Sequence, residues 1–388
     1  MATQTIITGV QYSGIWSLAG QANAKALGTW PVFGPKLYSW GSGTNGGLAL
    51  GNTTSYSSPK QVGSLADWLV ISAQYSSGAV AVKTDGTLWG WGSGASGVLG
   101  LGNTTNYSSP KQVGSLTGWS KVSAAKAFCI AVKTDGTLWS WGVNDFGQLG
   151  LGNRTNYSSP KQVGALTSWS TVSAGYQYSI ALKTDGTLWS WGWNDYAGAG
   201  QLGLGNTTSY SSPKQVGSLT NWSKISSGAA FVLAIKTNGT LWSWGQASSG
   251  QLGNGSSTAT QSPNQVGALT TWLAIASGTY HAVALRTDGT LWVWGSNSFG
   301  QLGLGNTTAY SSPKQVGSLT TWSTLGRGTY NSFAIKTDGT LWSWGYNNVG
   351  QLGIGNITSY SSPKQVGSLT AWSTIDSGLL NAFGIAVT

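Results

Sequence analysis

The sequence predicts an all-β, seven-bladed propeller of four-stranded antiparallel blades, and three observations predict it. A Trp-Gly dipeptide falls at Trp40, Trp91, Trp141, Trp191, Trp244, Trp294 and Trp344, with spacings of 51, 50, 50, 53, 50 and 50 residues. Seven copies at one period describe an array whose units each bury a face against the next. The composition has 59 glycines, 23 tryptophans and only 7% charged residues, with no glutamate. That mixture suits short strands joined by tight turns, and its aromatic content argues against disorder. The third observation is where the chain ends fall within the repeat: one blade must be completed by both of them.

One copy, read from Trp169, shows the elements in order. Trp169-Ser-Thr-Val-Ser-Ala-Gly175 is a short β-rich run closed by glycine, strand a. Ser179-Ile-Ala-Leu-Lys-Thr is strand b, and Asp185-Gly186 reads as a two-residue hairpin with positive φ at both positions. Thr187-Leu-Trp-Ser-Trp-Gly192 is strand c. A Gly/Asn/Ser loop then leads to strand d at Pro213-Lys-Gln-Val-Gly217, where proline suits a sheet edge. The extra three residues of the fourth spacing lie at Tyr196 to Gly200 and read as a loop insertion that leaves the scaffold alone.

The last copy stops after strand b, at Ile385-Ala-Val-Thr388, and the first begins in strand c, at Lys36-Leu-Tyr-Ser-Trp40. Residues near 373–387 are therefore expected to pair with residues near 37–41, which removes the open edge of the array. This places the propeller at 36–388 and an extension at 1–35. Within the extension, 15–27 reads as a short helix with Ile15, Leu18, Ala19, Ala22 and Ala26 on one face, ended by Gly28 and Pro31. Two readings of the extension stand: packing against the propeller, or an attachment arm to a larger assembly.

The unit Gly-Thr-Leu-Trp-Ser-Trp-Gly-x-Asn-x-x-Gly-Gln-Leu-Gly, clearest at 186–203, 289–303 and 339–353, resembles the regulator-of-chromosome-condensation repeat family. The resemblance covers about residues 36–388 and implies a seven-bladed propeller. Family members include a chromatin-bound exchange factor for a small GTPase, a plant ultraviolet sensor, an inhibitor of β-lactamase, and many bacterial and phage proteins. In the plant sensor the a–b loop resembles Gly-Trp-Arg-His-Thr. Here the matching stretches read Gly175-Tyr-Gln-Tyr178, Gly278-Thr-Tyr-His281 and Gly328-Thr-Tyr-Asn331, with neither the Trp nor the Arg, so photoreception is not expected. Exchange activity depends on an inserted loop and acidic contacts that this sequence lacks. The stretch Tyr12-x-Gly-x-Trp16…Gly28-Thr-Trp-Pro31 is similar to segments of phage virion proteins.

Catalysis, metal binding and a cofactor are not expected. General acid–base chemistry needs positioned groups of suitable pKa, and His281 is the only histidine. Cys129, the only cysteine, excludes an intramolecular disulfide and reads as a buried small residue in strand b. The aspartates of the Thr-Asp-Gly turns (Asp85, Asp135, Asp185, Asp288, Asp338) lie one per blade and form no paired carboxylate site. No run of 18 apolar residues crosses a membrane, and the N-terminus has no charged region leading into an apolar one.

Blade topology puts the a–b and c–d loops on one face, where the copies differ most. That face offers Lys126, Phe128, Tyr176, Tyr178, Trp193, Tyr280, His281, Tyr330, Asn331 and Tyr346 as candidate binding residues, with loop drift after duplication as the bland alternative. The net charge of +10 resolves largely into a ring of single lysines before strand d: Lys60, Lys111, Lys161, Lys214, Lys314 and Lys364. With only three arginines, specific nucleic-acid readout is not expected. The ring is either solvated or a diffuse attraction for anionic polysaccharide or a partner subunit.

Ser-Ser-Pro-Lys-Gln-Val-Gly recurs in six of seven copies, which points to recent duplication. Together with the low charge and the N-terminal segment, it leads to a virion component of a bacteriophage (tail fibre, adhesion or decoration protein). Such a protein would attach to other virion subunits through residues 1–35 and present its loop face to a cell-surface glycan or protein. A soluble bacterial binder or inhibitor, cytoplasmic or secreted without an ordinary signal, is the alternative. A chromatin- or GTPase-associated scaffold is the third.

Overall fold

Alternation of apolar and small residues over six positions, broken by glycine, dictates a short strand, and each repeat contains four. In blade 3 (169–215) strands a to d are Trp169–Ala174, Tyr178–Lys183, Leu188–Gly192 and Tyr210–Gln215, hydrogen-bonded in that order. The computed structural model describes residues 34–388, and these form seven such antiparallel sheets. The other blades with consecutive strands span 68–112 (blade 1), 119–162 (blade 2), 222–265 (blade 4), 272–315 (blade 5) and 322–365 (blade 6). The helix expected at 15–27 lies outside the described residues.

Blade 7 is closed by both ends of the described chain. Its order is Tyr56–Gln61, Pro35–Gly41, Asn381–Val387, Trp372–Ser377. Seven consecutive register pairs run from Pro35↔Val387 to Gly41↔Asn381. Strand c of this blade therefore begins at Pro35. Deleting residues 381–388 strips Pro35–Gly41 and Trp372–Ser377 of a partner at once. It is expected to abolish the cooperative thermal transition, which differential scanning calorimetry would detect; a truncated chain that still melts sharply would show that the seam is dispensable.

Two details differ from expectation. The b–c hairpin is a three-residue loop, not a two-residue one: Gly186 N–H donates to Lys183 C=O at 3.0 Å, while Lys183 N–H donates to Thr187 C=O at 3.1 Å. Only Gly186 takes positive φ, at 77°, so the loop is a type I turn followed by a left-handed glycine. Asp185 supports it by accepting from the Thr187 N–H (2.9 Å) and hydroxyl (2.7 Å). These donors hold the Asp185 carboxyl below the usual range. Strand d also starts earlier, at Tyr210, because a bulge places Ser211, Ser212 and Pro213 between the pairs Gly192↔Tyr210 and Ser190↔Lys214.

The recurrent Trp-Gly and Gln-Leu-Gly motifs are the two halves of one inter-blade joint. The fully buried Trp191 donates its indole N–H to Gln148 C=O of the preceding blade at 2.9 Å, and Trp244 does the same to Gln201 C=O at 3.0 Å. A Cβ on Gly203 would lie 2.7 Å from Trp244 Nε1, so only glycine lets the neighbouring indole seat. The strand-a tryptophan packs edge-on against both strand-c tryptophans, Trp169 lying 6.0 Å from Trp189 and 6.1 Å from Trp191. Lys183 Nζ sits 3.9 Å from the Trp189 ring, so the basic residue ending strand b is caged by aromatic faces. The core is thus a ring of blade–blade contacts rather than one central cluster.

Candidate binding face

The innermost strands line an axial bore. In blades 1 to 4 the strand-a serine accepts a main-chain hydrogen bond from the next blade: Ala124 N–H to Ser72 Oγ (3.0 Å), Ala174 to Ser123 (3.0 Å), Ser227 to Ser173 (2.9 Å) and Ser277 to Ser226 (2.9 Å). This relay stops where the repeat departs from itself, at Ala276, Gly326-Arg327 and Asp376. There Arg327 crosses the bore. Its Nε donates to Asp376 Oδ1 at 3.3 Å, and its Nη2 donates to Ala73 C=O and Ala124 C=O, each at 2.9 Å. Asp376 Oδ2 accepts from Ser72 Oγ (3.2 Å) and Ala73 N–H (3.1 Å). Burial raises the Asp376 carboxyl above its ordinary pKa, with Arg327 opposing that shift. One ion pair therefore joins blades 6, 7, 1 and 2 around the closure seam.

Above this level the a–b loops form the mouth of a well lined by Tyr75, Lys126, Tyr176, Thr279, Arg327 and Thr329 among others. Tyr75 and Tyr176, from blades 1 and 3, meet edge-on with centroids 5.3 Å apart, and Lys126 Nζ lies 4.7 Å from the Tyr176 ring. Burial, followed by the nearby phenols of Tyr330, Tyr176 and Tyr280, raises Tyr75 above the usual tyrosine range, so it stays a neutral hydrogen-bonding group. The insertion at Tyr196 to Gly200 is not passive. It carries the Tyr196 hydroxyl to within 3.2 Å of the Tyr280 hydroxyl, past blade 4, whose own a–b loop is only Gly228-Ala229-Ala230. Outside this ring, Phe146 packs on Trp193 at 5.1 Å, and Phe299 packs on Tyr330 at 5.5 Å and on Tyr346 at 4.6 Å.

The ten candidate face residues divide cleanly. Lys126, Tyr176, Trp193, Tyr280, Tyr330 and Tyr346 reach the surface, Lys126 as an exposed residue and the others half-buried. Phe128, Tyr178, His281 and Asn331 do not: each is the first residue of strand b and is at most 1% exposed. Their side chains share the inward parity of strand b and pack between blades. Tyr178, for instance, donates its hydroxyl to Phe231 C=O at 2.7 Å. His281 Nε2 contacts Ser332 Oγ at 2.9 Å, and Ser332 in turn donates to Gln301 C=O at 2.8 Å. That direction makes the histidine the donor, so the pair is not an activated nucleophile. Tyr75, Tyr196, Phe299, Arg327 and Asp376 were not singled out by sequence reading; the available signal was their departure from otherwise repeated text.

The lysine ring is a set of six stacked pairs. Lys60, Lys111, Lys161, Lys214, Lys314 and Lys364 lie 5.1 to 5.8 Å from the rings of Tyr56, Tyr107, Tyr157, Tyr210, Tyr310 and Tyr360. The bulge in strand d brings these i and i+4 residues together. In blade 4 both partners are replaced together, by Thr260 and Asn264. Strand d is the outer edge of each sheet, and lysine with proline there blocks edge-to-edge pairing.

Cys129 is fully buried, and burial pushes its thiol well above the ordinary range. Among the described residues no three His, Cys, Asp or Glu side chains gather to hold a metal ion, and no helix is long and apolar enough to cross a membrane.

The fold and this face define the class: a seven-bladed propeller presenting a tyrosine-rich loop surface around a plugged axis. The chain belongs to the RCC1-like domain family, whose model matches residues 34–273, and regulator of chromosome condensation (RCC1) repeat models match 272–301, 288–335 and 338–379. The solved structure of Prp20p from Saccharomyces cerevisiae is 18% identical with a TM-score of 0.80, covering 92% of each chain. Human WBSCR16 is 21% identical with a TM-score of 0.80, covering 91% of this chain and 99% of that one. Among curated relatives, the ultraviolet-B receptor UVR8 of Arabidopsis thaliana is 37% identical over 92 residues, which is 23% of this chain and 20% of the receptor. The E3 ubiquitin-protein ligase HERC2 of Mus musculus is 33% identical over 99 residues, 24% of this chain and 2% of the ligase. The chain thus spans a fifth or less of these curated relatives' length.

Proposed function

We propose that this protein is a non-catalytic binding propeller that grips a protein partner with its tyrosine-ringed face, and that it serves as an adhesive or decorating component of a bacteriophage virion, attached through residues 1–35. The observation that carries the binding role is that Tyr75 and Tyr176 line one axial well while Tyr280 and Tyr330, from two further blades, stand close to Tyr75. Tyrosine supplies contact area at low entropic cost and dominates binding hot spots. The Tyr75–Tyr176 pair meets edge-on, at 83°. It presents hydroxyls and ring edges instead of one flat platform for a sugar, which favours a protein over a glycan. The virion assignment is supported by near-identical repeats and low charge.

A soluble bacterial inhibitor or binder would use the same face, and a chromatin- or GTPase-associated scaffold is the third reading. Sedimentation of the native protein separates the first two: co-migration with megadalton particles supports the virion, and a free species near 40 kDa overturns it. For the face itself, the triple variant Tyr176→Ala, Tyr280→Ala, Tyr330→Ala is expected to weaken capture of a co-purifying partner at least about a hundredfold, on the scale of hot-spot losses. Retained affinity in a folded variant would remove the face from the account.

A further inference from the structure

The base of the well is charge-balanced by the Arg327–Asp376 pair, and the uncompensated charge beside it is Lys126 at the mouth. Asp376 is the acid at the base, and both its oxygens are engaged within the protein: Oδ1 takes Arg327 Nε and Ser377 N–H (2.9 Å), and Oδ2 takes Ser72 and Ala73. Arg327 commits Nε and Nη2 to protein, whereas its Nη1 makes no hydrogen bond among the described residues. Lys126, exposed at the mouth, joins none of the four ion pairs among the described residues.

The loops around the mouth repeat the message. They are stitched N–H to C=O from blade to blade: Tyr75 to Ala125 (3.4 Å), Tyr176 to Ala229 (3.3 Å), Ala229 to Thr279 (3.3 Å), Thr279 to Thr329 (3.0 Å) and Leu379 to Tyr75 (2.8 Å). Among the described residues the main-chain circle is interrupted at Lys126 and Thr329; the Thr329 hydroxyl bridges its own gap by donating to Gly378 C=O at 2.9 Å, which leaves the open place beside Lys126. The unpaired cation therefore stands at the open place in the circle, with Arg327 Nη1 as a further donor in the same well. A lone polar donor set of this kind asks for an oxyanion.

We propose that the axial well is a carboxylate-binding site: an aspartate or glutamate side chain of the protein partner enters the well beside the Tyr75–Tyr176 pair, pairs with Lys126 Nζ and reaches the free edge of Arg327. The inference rests on the protein-binding reading of this face and adds the chemistry of the group at its centre. A well edged by tyrosine with one free lysine at its mouth suits a single carboxylate on a flexible stem.

The test uses the full chain and a fluorescent poly-L-glutamate peptide, with poly-L-glutamine of the same length as neutral control and hyaluronate as a polysaccharide of like charge. Anisotropy is expected to show binding of the glutamate peptide alone, weakened about tenfold by Lys126→Ala, the scale of one charge-assisted contact. Lys161→Ala on the outer rim is expected to change it less than about twofold, as for a screened surface charge. Equal losses from Lys126→Ala and Lys161→Ala would assign the binding to diffuse charge and overturn the site. Hyaluronate binding with the same Lys126 dependence would overturn the protein-side-chain assignment. If the tyrosine triple variant abolishes partner capture while Lys126→Ala leaves glutamate binding untouched, the face stands and the carboxylate site falls.

Discussion

Replacing Arg327 by alanine is expected to destabilise the propeller by about 3 to 5 kcal/mol, the cost of stripping a buried carboxylate of its partner. Asp376 is buried at the seam with 9% of its surface exposed, and among the described residues Arg327 Nε is its only cationic contact. The same substitution also leaves Ala73 and Ala124 carbonyls without the guanidinium donors that span the bore. The double variant Arg327→Ala, Asp376→Ser is expected to recover most of the loss. It removes the uncompensated charge and restores the alanine and serine found at these positions in blade 2, where Ser123 accepts the Ala174 N–H at 3.0 Å. Urea denaturation of the single and double variants gives the coupling directly. Equal stability of Arg327→Ala and the native protein would show that the ion pair is incidental to closure.

Acidification supplies the second large effect. His281 is 1% exposed, and burial lowers its pKa from 6.5 to about 4, with the Asn331 main chain opposing the shift. Its Nδ1 is buried without a partner. Below pH 6.5 the unfolded chain takes a proton that the folded chain refuses, so stability is present above 6.5 and lost as pH falls toward 4. The shift corresponds to about 3 kcal/mol. Asp376 acts in the opposite sense: its raised pKa means the folded state takes up a proton first, so acid relieves part of its burial cost. The comparison that isolates the histidine is His281→Phe, because Phe128 and Phe231 occupy the same place in blades 2 and 4. This variant is expected to flatten the stability profile between pH 6.5 and 4 in chemical denaturation. An unchanged acid limb would place the sensitivity elsewhere.

Both effects sit at positions where one copy departs from its siblings, and that is the level at which the sequence was least legible. Phe128, Tyr178, His281 and Asn331 read as loop residues because each follows the glycine-containing or small-residue turn after strand a. Their parity gave the better signal. Tyr178 is two residues before Ile180 and four before Leu182, and all three pack in one cluster. A period of two thus carried the inward face one step further into the apparent loop than the glycine suggested. The hairpin turn is ambiguous in sequence for a related reason: Asp-Gly fits two loop lengths, and only the hydrogen bond from Lys183 to Thr187 chooses the longer. Strand d shifted because a proline marks an edge, but the bulge before it decides where pairing begins.

The sequence by itself determined the number of blades, the strand order and the place where the ends meet. Those properties repeat every fifty residues or so and depend on local periodicity, turn glycines and a Trp–Gly joint between neighbouring copies. It also determined that Cys129 is a core residue, since an apolar strand surrounds it. Only the tertiary structure decided what stands at the axis. Tyr75, Tyr176, Tyr280 and Tyr330 lie far apart along the chain, and closure of the ring alone brings them to one mouth. Arg327 likewise touches Ala73, Ala124 and Asp376 only because a circle places the sixth blade opposite the first and second. The lysine ring followed the same logic on the outside, where a bulge turned solvated charges into stacked Tyr–Lys pairs. A repeat announces its nearest-neighbour contacts in its text, whereas contacts across the ring arise from the geometry of closure and have no fixed spacing to read.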